Sequence, residues 1–159
     1  LHLQSIPDED ILSNDAETDE IADAIFQLVL PQTQVVVADH TLLAQWQADG
    51  LLAETDNPIS SLLDFGAETV FYTSPATDPG YVTHQLYSQD GLLHEWQSPV
   101  APARLQDTEG LLSTLISAYL AQGLDTRSAC ANAIIYTDKA AEHAFQAGMG
   151  SRILRHVVS

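Results

Sequence analysis

The chain has 159 residues, 45% of them hydrophobic, and a formal net charge of −17. That is enough apolar side chain for one packed core, while so strong a negative field weighs against nucleic acid or an anionic membrane as partner, since both need clustered cations. The longest apolar clusters are broken well short of 18 residues, so no membrane span is expected, and the single cysteine, Cys130, excludes an internal disulfide framework or a cysteine-rich zinc site.

The charge is unevenly spread. No Lys or Arg precedes Arg104, whereas the first 103 residues carry seventeen carboxylates; the rest of the chain balances five cations against five acids. Solubility in a salty cytoplasm is the first explanation, and a basic partner protein the second. There is no basic segment followed by a hydrophobic stretch, so no secretory signal is expected. The chain opens on Leu1 rather than Met, so something upstream is expected to have been lost: a tag, a disordered leader or half a protein.

In chain order, residues 1–15 read as irregular, with Asp8-Glu9-Asp10 and Ser13-Asn14-Asp15 as solvated clusters. A helix follows, with Ile21, Ala24, Ile25 and Leu28 at helical spacing until Pro31 stops it. Val35-Val36-Val37 reads as a short buried strand with Asp39 at its carboxyl end. A second helix is expected from Thr41 to about Ala48, ended by Gly50, and a third over Pro58 to Phe65, closed by Gly66. Thr69 to Thr73 is the next strand, and repeated helix-then-strand order implies a parallel sheet with crossover helices. From Val82 the period becomes two, turns at Gln89-Asp90-Gly91 and returns over Leu92 to Gln97, which is a β-hairpin. A loop over Ser98 to Ala103 leads to two final helices, about Thr108 to Gln122 and Thr126 to Gln146, the second with Cys130, Ile134, Thr137, Ala141 and Phe145 as its inward stripe. The whole of 1–159 is read as one domain of α/β class.

The order and spacing of four segments carry a resemblance: Leu30-Pro31-Gln32-Thr33-Gln34-Val35-Val36, Phe65-Gly66-Ala67-Glu68-Thr69-Val70, Leu86-Tyr87-Ser88-Gln89-Asp90-Gly91, and Leu112 to Gly123. From about residue 10 to residue 156 the chain resembles the C-terminal part of the phosphomethylpyrimidine kinases. They are members of the ribokinase-like superfamily, next to the pyridoxal kinases. The resemblance implies a three-layer sandwich with a mostly parallel sheet and a hairpin, and an activity that phosphorylates hydroxymethylpyrimidine or its phosphate in thiamine biosynthesis, using ATP and magnesium. It also implies a homodimer, and it leaves the pyrimidine-binding N-terminal half outside this chain.

In that family a Gly-Thr-Gly-Cys turn (Gly-Thr-Gly-Asp in relatives) opens a helix. Its backbone N–H groups form an anion hole, and the fourth residue lies beside the attacking hydroxyl. The positions that match here are Asp107, Thr108, Glu109 and Gly110, so only the threonine is kept and the catalytic position carries no side chain. Two carboxylates at a helix N-terminus complement its dipole by about 0.3–1 kcal/mol each. They repel phosphate: unit charges about 4 Å apart interact by roughly 4 kcal/mol at an effective dielectric of about 20.

Two further pieces of the family site are altered. A Thr-Pro-Asn-x-x-Glu pattern after the first strand, whose glutamate organises the metal-phosphate site, aligns with Val37-Ala38-Asp39-His40-Thr41-Leu42. A shift by one residue substitutes His40 and Leu43, still without the acid. A Lys/Thr-Gly-Gly-His pattern after the second strand aligns with Thr73-Ser74-Pro75-Ala76, where Pro75 removes a backbone donor. Asp39, Ser74, Asp107, Thr108 and Glu109 are therefore the nucleotide-binding positions by resemblance.

Other chemistry finds little footing. The six histidines lack metal-ligand spacing, Ser113 and Ser117 lack an adjacent base, Trp46 and Trp96 read as core edges, and Cys130 reads as a small core residue. Asp39 with His40 either lines a pocket beyond a strand's carboxyl end or caps a helix. Three readings follow: a working kinase, a non-catalytic binding or assembly domain on the same scaffold, and an enzyme using the sheet-end cleft for other chemistry.

Overall fold

The computed structural model describes residues 1–2, 15–53, 55, 57–100, 105, 108–146, 148–150 and 152–154. Most of the irregular stretch expected over 1–15 lies outside the described residues. The chain divides into two compact units, Leu1–Ser74 with Gln85–His94, and Pro75–His84 with Glu95–Ser159.

The first unit opens with α1 (Asp15–Ala24), a π-helical turn (Ile25–Val29) and a 3-10 turn (Leu30–Gln32). Pro31 sits in the first turn of the 3-10 segment, where its missing N–H has no partner to lose. The buried face is not the expected one. Ala22, Phe26 and Leu30 are buried, while Ile21 and Leu28 are 39% and 65% exposed. Both sets repeat at helical spacing, and the bulk of Phe26 and Leu30 decides which faces inward.

Next come β1 (Val35–Asp39), α2 (His40–Ala48), α3 (Pro58–Asp64) and β2 (Thr69–Pro75). β1 and β2 are parallel, Val35 lying opposite Thr69 and Asp39 opposite Thr73. Val35 to Ala38 are all buried, the continuous apolar run of a strand covered on both faces. Leu1 and His2 are not irregular. The Leu1 N–H donates to the Val35 carbonyl, the Val37 N–H donates to the Leu1 carbonyl, both at 2.8 Å, and His2 bridges Val37 in parallel. α3 starts at Pro58 with Asn57 capping the Ile59 N–H, and α2 and α3 bury Leu43, Trp46, Leu62 and Leu63 against Val36 and Val70. Each fully buried leucine stabilises the unit by about 1.5–3 kcal/mol.

β3 (Tyr81–Ser88) and β4 (Gly91–Pro99) form the hairpin, and the four-stranded sheet has the order β1-β2-β3-β4. Parallel strands with a hairpin and flanking helices make the expected α/β class. β4 runs two residues further than expected, taking in Ser98 and Pro99, and Gly91 at φ 109° closes the turn.

In the second unit, α4 (Thr108–Ala121) packs on α5 (Thr126–Glu142). Asp125 caps α5 by accepting the Ser128 N–H at 3.0 Å. Small residues, Ala129, Cys130, Ala133 and Ala140, are fully buried along α5 and allow close approach. α5 stops at Glu142 rather than Gln146: His143 leaves helical geometry, with its Nδ1 2.8 Å from the Lys139 carbonyl. Phe145, expected on the inward stripe, is 51% exposed in β5 (Phe145–Gln146), which pairs antiparallel with β6 (Arg152–Ile153). No helix among the described residues is long and apolar enough to cross a membrane.

Candidate functional site

Asp39 ends β1 and caps α2. Its Oδ1 accepts the Thr41 N–H at 2.8 Å and the Leu42 N–H at 2.9 Å. The carboxylate thus already holds the donors that a phosphate at this helix end would use. His40 is exposed, with Nε2 3.4 Å from Thr41 Oγ1. The pair is a solvated helix cap, one of the two roles its sequence allowed.

Leu42, at the position of the family's glutamate, is 7% exposed and belongs to the apolar core of the first unit. Ser74 is the penultimate residue of β2, half-buried, and Pro75 ends the strand. The field here is negative: the Tyr72 hydroxyl is held above its usual range by burial first, then by Asp39 and by Tyr87.

Thr108, Glu109 and Gly110 form the first turn of α4 in the second unit, all partly buried. The Glu109 Oε2 is withdrawn from solvent, so the carboxylate is part of the helix start rather than a freely solvated tip. Asp107 lies outside the described residues. Ser113 Oγ and Thr114 Oγ1 both donate to the Gly110 carbonyl, at 3.0 and 2.8 Å, and Ser117 Oγ donates to the Ser113 carbonyl at 2.9 Å. These hydroxyls are spent on their own helix.

The site residues expected from sequence thus fall in two places: Asp39 and Ser74 at the carboxyl ends of neighbouring strands, and Thr108 to Gly110 at a helix start. An acid caps α2, and the first turn of α4 carries an acid. Among the described residues no group of three or more His, Cys, Asp or Glu could hold a metal ion.

Elsewhere, burial pushes the Cys130 thiol up to about 12, which leaves it unreactive, and lowers His84 to about 4, which keeps it neutral at physiological pH. One polar contact has no precursor in the sequence pattern. Ser98, 1% exposed on β4, donates to Asp138 Oδ2 on α5 at 2.9 Å across forty residues of chain. Ser98 sits beside Pro99 and reads as loop, so only an unusually buried serine could have signalled it.

Asp138 titrates above its ordinary value of 3.8, because desolvation and then Glu142 outweigh the Ser98 hydrogen bond. The folded state therefore holds its proton more tightly than the unfolded chain, and this residue's contribution to stability falls as pH rises from about 4 through the raised folded value. Asp138→Asn should melt higher than wild type at pH 7, with the difference shrinking toward pH 4. Thermal unfolding by circular dichroism reads it, and a pH-independent difference would contradict the assignment.

The model of the phosphomethylpyrimidine kinase family matches residues 12–155. Among solved structures, the chain is similar to the Staphylococcus aureus pyridoxal kinase in complex with AMP-PCP and pyridoxal, at TM-score 0.73 and 16% identity, over 87% of this chain and 53% of that one. It is similar also to the Bacillus subtilis pyridoxal kinase in its ADP complex, at TM-score 0.70 and 17% identity, over 87% and 54%. The chain spans about half the length of these structures. No curated protein matches it.

Proposed function

Because the chain belongs to the phosphomethylpyrimidine kinase family, we propose that it is a kinase-like domain that has kept the family's scaffold and given up phosphoryl transfer. The observation that carries this reading is the first turn of α4, where Glu109, with one carboxylate oxygen shielded from solvent, stands where the family resemblance calls for a glycine. Oxyanion stabilisation needs N–H donors aimed at developing negative charge; a fixed carboxylate at that spot opposes it by roughly 4 kcal/mol at about 4 Å. Thr108 alone keeps the family identity, and Gly110 has no side chain to act on an attacking hydroxyl. Asp39 is spent on the cap of α2 and Ser74 stands next to Pro75, so on this reading neither serves a nucleotide.

On this reading the domain serves binding or assembly in a reducing cytoplasm, in line with the buried thiol of Cys130. Incubated with magnesium-ATP and either hydroxymethylpyrimidine or pyridoxal, the protein should form no phosphorylated product. Turnover followed by phosphorus NMR, abolished by Thr108→Ala, would overturn the proposal.

A further inference from the structure

The unexpected phase of the first helix leaves an apolar surface uncovered. Ile21, Leu28 and Val29 are 39%, 65% and 41% exposed, while Ala22, Phe26 and Leu30 turn inward. Phe65, 40% exposed, stacks its ring on Phe26 with centroids 4.7 Å apart. The next residue, Gly66, lies against Pro31. Ile21, Leu28 and Val29 thus expose apolar side chains along one helical segment of the first unit, and Phe65 packs against Phe26 of that segment.

Two independent features mark this segment. The helix widens to a π turn over Ile25–Val29, which carries Leu28 and Val29; single π turns concentrate at functional sites. The surroundings also carry one sign of charge. Glu20, Asp23, Asp64 and Glu68 are exposed, and no Lys or Arg occurs in the first 103 residues to neutralise them. An apolar stripe inside a purely anionic rim complements one kind of peptide, a helix whose apolar face is bordered by Lys and Arg.

The geometry points to Ile21, Leu28, Val29 and Phe65 as a docking face for a basic amphipathic helix of a partner protein. The apolar residues set register and slow dissociation, and the acidic rim speeds encounter and makes it sensitive to salt. The inference stands apart from the loss of phosphoryl transfer, since it uses none of the same residues.

The test uses a fluorescent peptide of leucine and lysine, about five helical turns long, with its leucines on one stripe, beside a scrambled peptide of the same composition. Measured by anisotropy in about 0.1 M salt, the striped peptide should bind at least about ten times more tightly than the scrambled one. Leu28→Ser with Val29→Ser should remove that advantage and leave the weak scrambled binding unchanged, with circular dichroism confirming the fold. Leu28→Ser alone, at the most exposed position, gives the same reading if the pair unfolds. Equal binding of the two peptides, which is plain polyanion attraction, overturns the inference. So does a striped peptide that binds the variants as well as wild type, or that fails to bind at all.

Discussion

Leu42→Glu, which puts back the acid that the family resemblance places after the first strand, should destabilise the protein by about 3–5 kcal/mol and create no magnesium site. Leu42 is 7% exposed and packed in the cluster that contains Val36, Leu43, Trp46 and Val70. Its own N–H is held by Asp39 Oδ1 at 2.9 Å. A carboxylate here would lose its hydration in an apolar cluster, with a second carboxylate at the same helix start and no cation in the first 103 residues to pair with. Leu42→Met, which keeps volume and polarity, should cost less than about 1.5 kcal/mol. Urea unfolding at pH 7 separates the two. A glutamate variant with an unchanged midpoint, or one that gains stability with magnesium, would show that the position still faces a metal site.

Gly66→Ala should lose about 2–3 kcal/mol. Gly66 closes α3 at φ 105°, outside the usual range of L-residues, and a Cβ built there would meet the Pro31 Cα at 3.1 Å. The turn after α3 thereby lies against the turn that ends the first helix, and a Cβ would have to push the Pro31 backbone back by a few tenths of an ångström. Gly50, which ends α2 at φ 76°, is the comparison, because a Cβ there meets nothing within 4 Å and Gly50→Ala should cost about 1 kcal/mol. Equal losses at the two glycines, read from denaturant midpoints at constant slope, would mean that the Pro31 contact contributes nothing.

Local chemistry was legible where one residue type decides the outcome. Asp39 as a possible cap, Gly66 and Gly91 as turns, the β1 run of valines and the Gln89-Asp90-Gly91 hairpin all follow from backbone preference and short-range hydrogen bonds. Phase and length were not. Ile21 and Ala22 head equally good helical stripes, and only the packing of Phe26 against Trp46 and Phe65 selects the second. At the end of α5, His143 Nδ1 lies against the Lys139 carbonyl, and the pairing of Phe145 with Ile153 joins residues that periodicity cannot link. Ser98 and Asp138 meet across forty residues, beyond any local pattern. For the candidate site, the identities of Asp39, Leu42, Pro75 and Glu109 were on view from the start, whereas the burial of Leu42 and the commitment of the Asp39 carboxylate to two N–H groups came only with the fold.

The proposed loss of the phosphate site is tested most directly by the melting temperature with and without millimolar magnesium-ATP. A ligand that binds only the folded state stabilises it by RT ln(1 + [L]/Kd), about 2.7 kcal/mol at a hundredfold excess over Kd, so a working nucleotide site cannot escape notice. An unchanged melting temperature is the result expected of an acid-capped α2 and an acidic first turn of α4; a clear upward shift that disappears when magnesium is chelated would contradict it.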